Sequence, residues 1–452
     1  MKPARILAAA GLALLAACAS DDARKALEAR IDTAMEPLVA LGEFSGAIVL
    51  AREGRILYQR GFGMANHAGM VAFTPDTPAD GGSLAKTLTA AGIWQLVYEG
   101  RIDPDAPVQR YVREYPHAET TVRHLISHTN GLPPYYEFWD PFFAPDEVRT
   151  TPAMLAIVAR ERPQPSFAPG SRFEYSNFGF DVAALVIERV TGVPIEDFYR
   201  QRFWSRFGMD ASFARPARLA DWRGVRTLGY AWQADGWRVA DVYDMEAFIG
   251  GSNVYFSASD LSRWASANAA GKAVAPGALA EGQRRTAIDG RPSPITGLSW
   301  YCDESGLRCY YTGSINAFHG FAYWDRVENK SAVFIANSSM PPWRIVSLER
   351  ELVAALAGRE SPPEAAIAFL PLDAATRAAV TGDWALDSAG MLTVSAGGLR
   401  LRAGDGLEFD MFQVSPEVLY VPGPDWWIAF SGMGPDAMHV RSVFTDFIAR
   451  RP

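Results

Sequence analysis

The stretch GGSLAKTLTAAGIWQL, residues 81–96, sets Ser83 three residues ahead of Lys86 where an apolar helical pattern begins. Three residues are about one helical turn, so the two side chains share a face. Apolar residues continue around the expected helix, the mark of a buried one. The chain has only five lysines, Lys2, Lys25, Lys86, Lys272 and Lys330. A lysine on a buried helix needs a reason, because its charge is costly to take out of water. One reason is chemical. A serine hydroxyl is a poor nucleophile until a neighbour takes its proton. An amine withdrawn from water accepts that proton more readily, and a helix N-terminus adds oriented N–H groups and a positive dipole end. The alternative is an N-capping serine followed by a solvated lysine.

Other routes to an activated group find less support. The elbow G-x-S-x-G is missed at 81–85, where Ala85 takes the last position, and H-E-x-x-H does not occur. His124 and His128, four apart in TTVRHLISHTNGLP, fall on an expected helix closed by Asn130, Gly131 and Pro133. Their spacing suits a metal, but no Glu stands between them in the required place, and structural hydrogen bonding is the favoured reading. The sequence therefore implies neither a metal nor an organic cofactor.

Composition bounds the rest. The 452 residues are 49% hydrophobic and 21% charged, enough for a sizeable core; the length suits two or three domains, or equally one large α/β domain and a small one. A net charge of -8 without any run of Lys or Arg argues against a nucleic-acid partner. The aromatic loop PPYYEFWDPFF, 133–143, either lines an apolar entrance or packs on the core.

Strand-like patterns stand at both ends of the main segment. FSGAIVLAREGRILYQRGFG alternates and turns at Glu53-Gly54; LSWYCD, LRCYYTGS, HGFAYWD and SAVFIANSS follow late in the chain. Helical patterns fill the interval and close the segment at 344–357. This predicts one antiparallel sheet built from both chain ends, flanked by helices, with a helical region inserted. Residues 358–373 read as a proline-bearing linker. Residues 374–452 read as a small all-β domain, a barrel or sandwich.

The N-terminus reads as an export signal. Lys2 and Arg5 precede the short apolar run ILAAAGLALLAA, followed by a linker and a helix over 21–45. LAAC, Leu15 to Cys18, resembles a bacterial lipobox, which predicts a signal peptide over 1–17 and lipidation at Cys18. A plain secretory signal is the alternative. Ala19 and Ser20, in place of Asp, favour the outer membrane in the enterobacterial sorting pattern. Export implies an oxidising compartment, where Cys302 and Cys309 would pair across the DESG turn.

Two more stretches join the first. FEYSNFGF puts Tyr175 two residues before Asn177, and YYTGSINAFHGFAYW carries Tyr311-Thr312-Gly313-Ser314. In order and context these resemble S-x-x-K, Y-x-N and the late K/H-T-G of the serine β-lactamase superfamily. The branch is that of class C β-lactamases, D-alanyl-D-alanine carboxypeptidases and related esterases. VRHLISHTNGLP, PGSRFEYSNFGFDVAALVIERVTG and GGSNVYFSASDLSRW carry the resemblance further, over about residues 30–355. It implies a β-lactamase/transpeptidase-like α/β fold over 18–357 and an acyl-enzyme on Ser83. Lys86 and Tyr175 would share acid/base work, and Asn177 would bind substrate carbonyl and orient Lys86. The N–H groups of Ser83 and Ser314 would form an oxyanion hole, with Gly313 admitting substrate. Tyr311 departs from the pattern, since a phenol brings no charge to a substrate carboxylate. His319-Gly320 offers a rival register, but TGSIN directly after Tyr311 favours the first. The expected protein is a lipid-anchored serine hydrolase on the periplasmic face of the outer membrane. Its substrates would be esters or amides, with peptidoglycan-derived peptides or β-lactams as the second option. The contrary expectation is a catalytically silent envelope binding protein.

Overall fold

The computed structural model describes residues 3–133, 142–143, 147–222, 224, 226–233, 236–241, 246–288, 291–340 and 342–360, and, within 374–451, one helix and nine strands with a few adjoining residues. Most of the aromatic loop at 133–143 and of the linker at 358–373 lies outside these residues.

The main sheet has eight strands. We number them β1 (Gly46–Arg52), β2 (Arg55–Phe62), β3 (Arg285–Ile288), β4 (Arg291–Thr296), β5 (Tyr301–Cys302), β6 (Arg308–Ile315), β7 (Phe318–Asp325) and β8 (Lys330–Ala336). Their spatial order is β3-β4-β5-β6-β7-β8-β1-β2, antiparallel throughout. The first strand therefore joins the last, with Gly46 opposite Ala336 and Arg52 opposite Lys330, as the sequence implies. The β1–β2 hairpin turns at Glu53 and Gly54, both at positive φ, which is the backbone a tight two-residue hairpin turn requires.

The sheet is covered on both faces, so β7 and β8 are buried at every position. Alternation along β1 shows the two layers. Ala47 and Val49 join the larger core, whereas Ile48 and Leu50 face the smaller one. The smaller core holds Ile31, Met35 and Leu38 of α1 (Pro3–Ala40) and Leu348 and Leu352 of the late helix Pro342–Leu356. Helix α1 is continuous, so the expected linker after residue 21 is helical instead. Among the described residues no helix is long and apolar enough to cross a membrane.

On the other face lies α2 (Ala85–Tyr98), buried from Ala85 to Trp94. It packs on the inserted helical region, where α3 (Val122–Ile126), α4 (Thr151–Glu161) and α5 (Asn177–Thr191) follow in turn. Helix α3 is shorter than expected. It ends at Ser127, and His128 beyond it has φ +57°, so His124 and His128 do not share a helical face. Instead His124 caps the helix, its Nδ1 accepting from the Thr121 N–H at 3.2 Å.

The C-terminal strands form a separate nine-stranded antiparallel sheet. Its first strand, Gly382–Leu386, pairs with its last, Asp446–Arg450. Its two edge strands, Glu408–Asp410 and Phe412–Ser415, are joined through Met411, which brings the edges together there.

Candidate active site

Ser83 stands in a single 3₁₀ turn, Gly82–Leu84, that leads into α2. The turn is built by what precedes it. Asp80 ends the short strand Ala79–Asp80, and its Oδ1 accepts the Gly82 N–H at 2.8 Å. Gly82 has φ +51°, and a Cβ there would stand 2.7 Å from the Ser314 nitrogen. A Cβ on Gly313 would come within 1.9 Å of the Gly81 carbonyl oxygen and 3.0 Å of the Ser83 nitrogen. Only glycines permit this approach, which lays the turn directly against β6. The backbone nitrogens of Ser83 and Ser314 lie beside this contact.

The Ser83 hydroxyl meets two partners. Tyr175 Oη donates to Ser83 Oγ at 2.5 Å, and Lys86 Nζ donates to the same oxygen at 3.1 Å. Lys86 is fully buried, yet each of its three N–H groups has an acceptor. The others are Asn177 Oδ1 at 2.7 Å and the Gly251 carbonyl at 2.6 Å. Its Nζ also stands 4.8 Å from the Tyr175 ring centre, within cation–π range. Asn177 opens α5, capped by Ser176, whose Oγ accepts the Gly179 N–H at 3.1 Å. The structure thus brings Ser83, Lys86, Tyr175 and Asn177 to one point.

Four residues around this point were given no part in the chemistry by the sequence; one of them, His128, was read as a structural hydrogen-bonder. Gly251 supplies a carbonyl to Lys86. His128 stacks on Tyr175 with ring centres 4.4 Å apart, and its Nδ1 accepts the Ser176 N–H at 2.9 Å. Burial, then the charge of Lys86, holds the His128 imidazole well below its ordinary pKa, so the ring is neutral. Asp181 and Asp80 are buried carboxyls, each pushed up to about 7 mainly by desolvation. Each is opposed by one backbone N–H, from Gly251 and Gly82 respectively. Stretches already singled out contain His128, Asp181 and Gly251, but no spacing rule joins residues this far apart.

Strand β6 forms the other wall. Tyr311 and Gly313 point inward and are buried, while Thr312 and Ser314 are exposed. Burial, reinforced by Tyr175 and Tyr301, pushes the Tyr311 phenol well above its usual pKa, so it stays neutral. Its hydroxyl is buried and completes no hydrogen bond among the described residues. The Tyr301 ring lies 5.6 Å from that of Tyr311. Cys302 and Cys309, directly opposite in the β5–β6 pairing, are joined by a disulfide. His319 sits across from Ser314 on β7, its Nδ1 3.1 Å from Ser314 Oγ, and burial lowers it to about 4. Tyr311-Thr312-Gly313 thus stands beside the Ser83 turn, with His319-Gly320 one strand behind. Of the aromatic loop, only Pro133, Phe142 and Phe143 are described. Phe143 is buried, and Arg160 lies 5.5 Å from the Phe142 ring centre.

Known proteins resemble this chain at moderate identity. Penicillin-binding protein 4* of Bacillus subtilis (strain 168) is 28% identical over 190 residues, 42% of this chain and 42% of that protein. The match thus spans less than half of that relative's length. Esterase EstB of Burkholderia gladioli is 28% identical over 292 residues, 57% of this chain and 74% of the esterase. Among solved structures, the octameric penicillin-binding protein homologue of Pyrococcus abyssi superposes with a TM-score of 0.65 at 21% identity. That likeness covers 93% of this chain and 99% of the other and concerns the fold alone. The Beta-lactamase family profile matches residues 31–356, from the end of α1 through the last helix against the main sheet. That span takes in Ser83, Lys86, Tyr175, Asn177 and β6, and with it the chain belongs to the beta-lactamase family of serine hydrolases.

Proposed function

We propose that the protein is an exported serine hydrolase that works through an acyl-enzyme on Ser83 and acts on carboxylic esters, or on amides that need no carboxylate recognition. One observation carries this reading: Tyr175 and Lys86 converge on the Ser83 hydroxyl at 2.5 and 3.1 Å. A serine oxygen has two lone pairs, and both are taken when both partners are protonated. The Ser83 proton can leave only when the Lys86–Tyr175 pair holds one proton fewer, a property of the pair. Ser83 Oγ then attacks the substrate carbonyl. The developing oxyanion faces the Ser83 and Ser314 N–H groups, a contact type whose loss typically costs about 3 kcal/mol. The same pair returns the proton to the departing alcohol or amine and then activates the water that frees the acyl group.

Tyr311 supports the ester preference. Where a cation would grip a substrate carboxylate, this site offers a neutral, buried phenol. The longer match to Esterase EstB points the same way. The likeness to penicillin-binding protein 4* favours the second reading, a D-alanyl-D-alanine carboxypeptidase or weak β-lactamase. The complete set of contacts to Ser83 speaks against a silent binding protein. Intact-mass analysis after separate exposure to a fluorophosphonate, a penicillin and a p-nitrophenyl ester tests the reading. It expects a fluorophosphonate adduct and ester turnover, with slow or no penicillin acylation. Rapid penicillin acylation without ester turnover would favour the second reading.

A further inference from the structure

Lys86 receives its third contact from the Gly251 carbonyl, at 2.6 Å. What holds Gly251 is a carboxyl. Asp181 Oδ1 accepts the Gly251 N–H at 2.8 Å. Asp181 stands one turn after Asn177 on α5, so one helix face reaches Lys86 twice, directly and through Gly251. From the opposite side, Thr89 of α2 donates to the Gly250 carbonyl at 2.7 Å, three residues after Lys86. The two glycines are wedged between these helices. A Cβ on Gly250 would stand 2.5 Å from the Phe180 oxygen, and one on Gly251 would stand 3.0 Å from the Asn177 oxygen. The second oxygen of Asp181 is buried with no hydrogen-bond partner among the described residues, which is costly for a polar atom.

We propose that Asp181 is a positioning residue that fixes Gly251 and thereby aims the Lys86 amine at Ser83. The inference rests on the Ser83–Lys86 reading above. It has an electrostatic consequence. The groups that act on the Asp181 carboxyl or feel it are Lys86 of α2, Tyr199 of the helix Ile195–Tyr199, and Glu246 of the strand Glu246–Ala247. With its pKa pushed up to about 7, Asp181 changes charge in the working range. The Lys86 charge opposes that rise, an interaction between the two groups that an amide at 181 would lack.

The test is kcat and KM for a p-nitrophenyl ester, against pH, in the full-length wild type and in Ser83→Ala, Asp181→Ala and Asp181→Asn. Asp181→Ala is expected to lower kcat about 10- to 100-fold, the scale of a misplaced catalytic group, with KM little changed. Asp181→Asn keeps an oxygen for the Gly251 N–H and should recover most of kcat, with the acidic limb of its kcat/KM profile at lower pH than wild type. Asp181→Ala at wild-type kcat, with Ser83→Ala inactive, would overturn this inference and leave the site reading intact. Asp181→Asn as impaired as Asp181→Ala, with an unmoved limb, would overturn it equally. If Asp181→Ala does not fold, the limb of Asp181→Asn decides alone. Activity retained by Ser83→Ala would instead remove the site reading itself.

Discussion

A buried phenol cannot replace an ammonium where a substrate carries a carboxylate. If Tyr311 holds the place of the carboxylate-binding cation, as proposed above, such a substrate forgoes a charge-assisted hydrogen bond worth roughly 1.5–3 kcal/mol. That corresponds to about a 10- to 150-fold loss in acylation. Neutral esters have no carboxylate to satisfy and escape the loss. Tyr311→Lys should therefore raise the ratio of penicillin acylation to ester hydrolysis about tenfold or more, read as kcat/KM for both substrates. A ratio that stays level, in a wild type that penicillin already acylates rapidly, would place carboxylate recognition on another residue. At this scale the sequence was informative where spacing is local. Ser83 and Lys86 are a turn apart, and Tyr175 and Asn177 share one loop–helix junction. Asp181, Gly251 and His128 were not legible as a set. Gly251 lies 70 residues beyond Asp181, and only the packing of α2 against α5 brings the Gly251 carbonyl to Lys86.

The Ser83 turn, as an element, is held by a carboxyl that resists ionisation. Burial pushes Asp80 up to about 7, against an unfolded value near 4. Between these values the folded chain keeps a proton that the unfolded chain has lost. The stabilisation is therefore complete below about pH 4 and is lost as pH rises through about 7. Asp80→Asn retains an oxygen for the Gly82 N–H and cannot ionise. Its Tm should fall less than that of wild type between pH 5 and pH 8, by thermal scans in matched buffers. Parallel slopes would show that Asp80 does not titrate there. Elements themselves were legible where pattern and tertiary demand agree. The β1–β2 hairpin turns at Glu53 and Gly54, where the sequence places its turn. They disagree after Ile126. Local signals carry a helix on to Asn130, but His128 takes φ +57° while its ring stacks on Tyr175 and bonds the Ser176 N–H. Contacts 47 and 48 residues away in sequence outweigh helix continuation at that point.

For the whole molecule, the sheet explains how one site draws on distant segments. β1 pairs with β8, so both ends of the family segment close one sheet, and the helical insertion supplies Tyr175 and Asn177 opposite β6. The expectation of a sheet from both chain ends was readable because strand alternation is strong at each end. The pairing order within it was not, because register depends on partners that a single sequence does not name. We also propose that Cys18 is lipidated and anchors the protein at the periplasmic face of the outer membrane, on the strength of LAAC after the apolar run. Multiple acyl chains would hold it firmly, at about 0.8 kcal/mol per buried methylene. Cys18→Ala should then move the protein from the membrane pellet to the soluble periplasmic fraction. An unchanged distribution with no acyl mass on the N-terminal peptide would reject the anchor. The central claim, an acyl-enzyme on Ser83, is tested most directly by trapping it. The full-length protein is mixed with a p-nitrophenyl ester, quenched in acid during turnover, digested and mapped by mass. The acyl group should appear on the peptide carrying Ser83, and Ser83→Ala should show neither adduct nor turnover while keeping the wild-type Tm. An acyl group on another residue, or a Ser83→Ala variant that still hydrolyses the ester, would contradict the account.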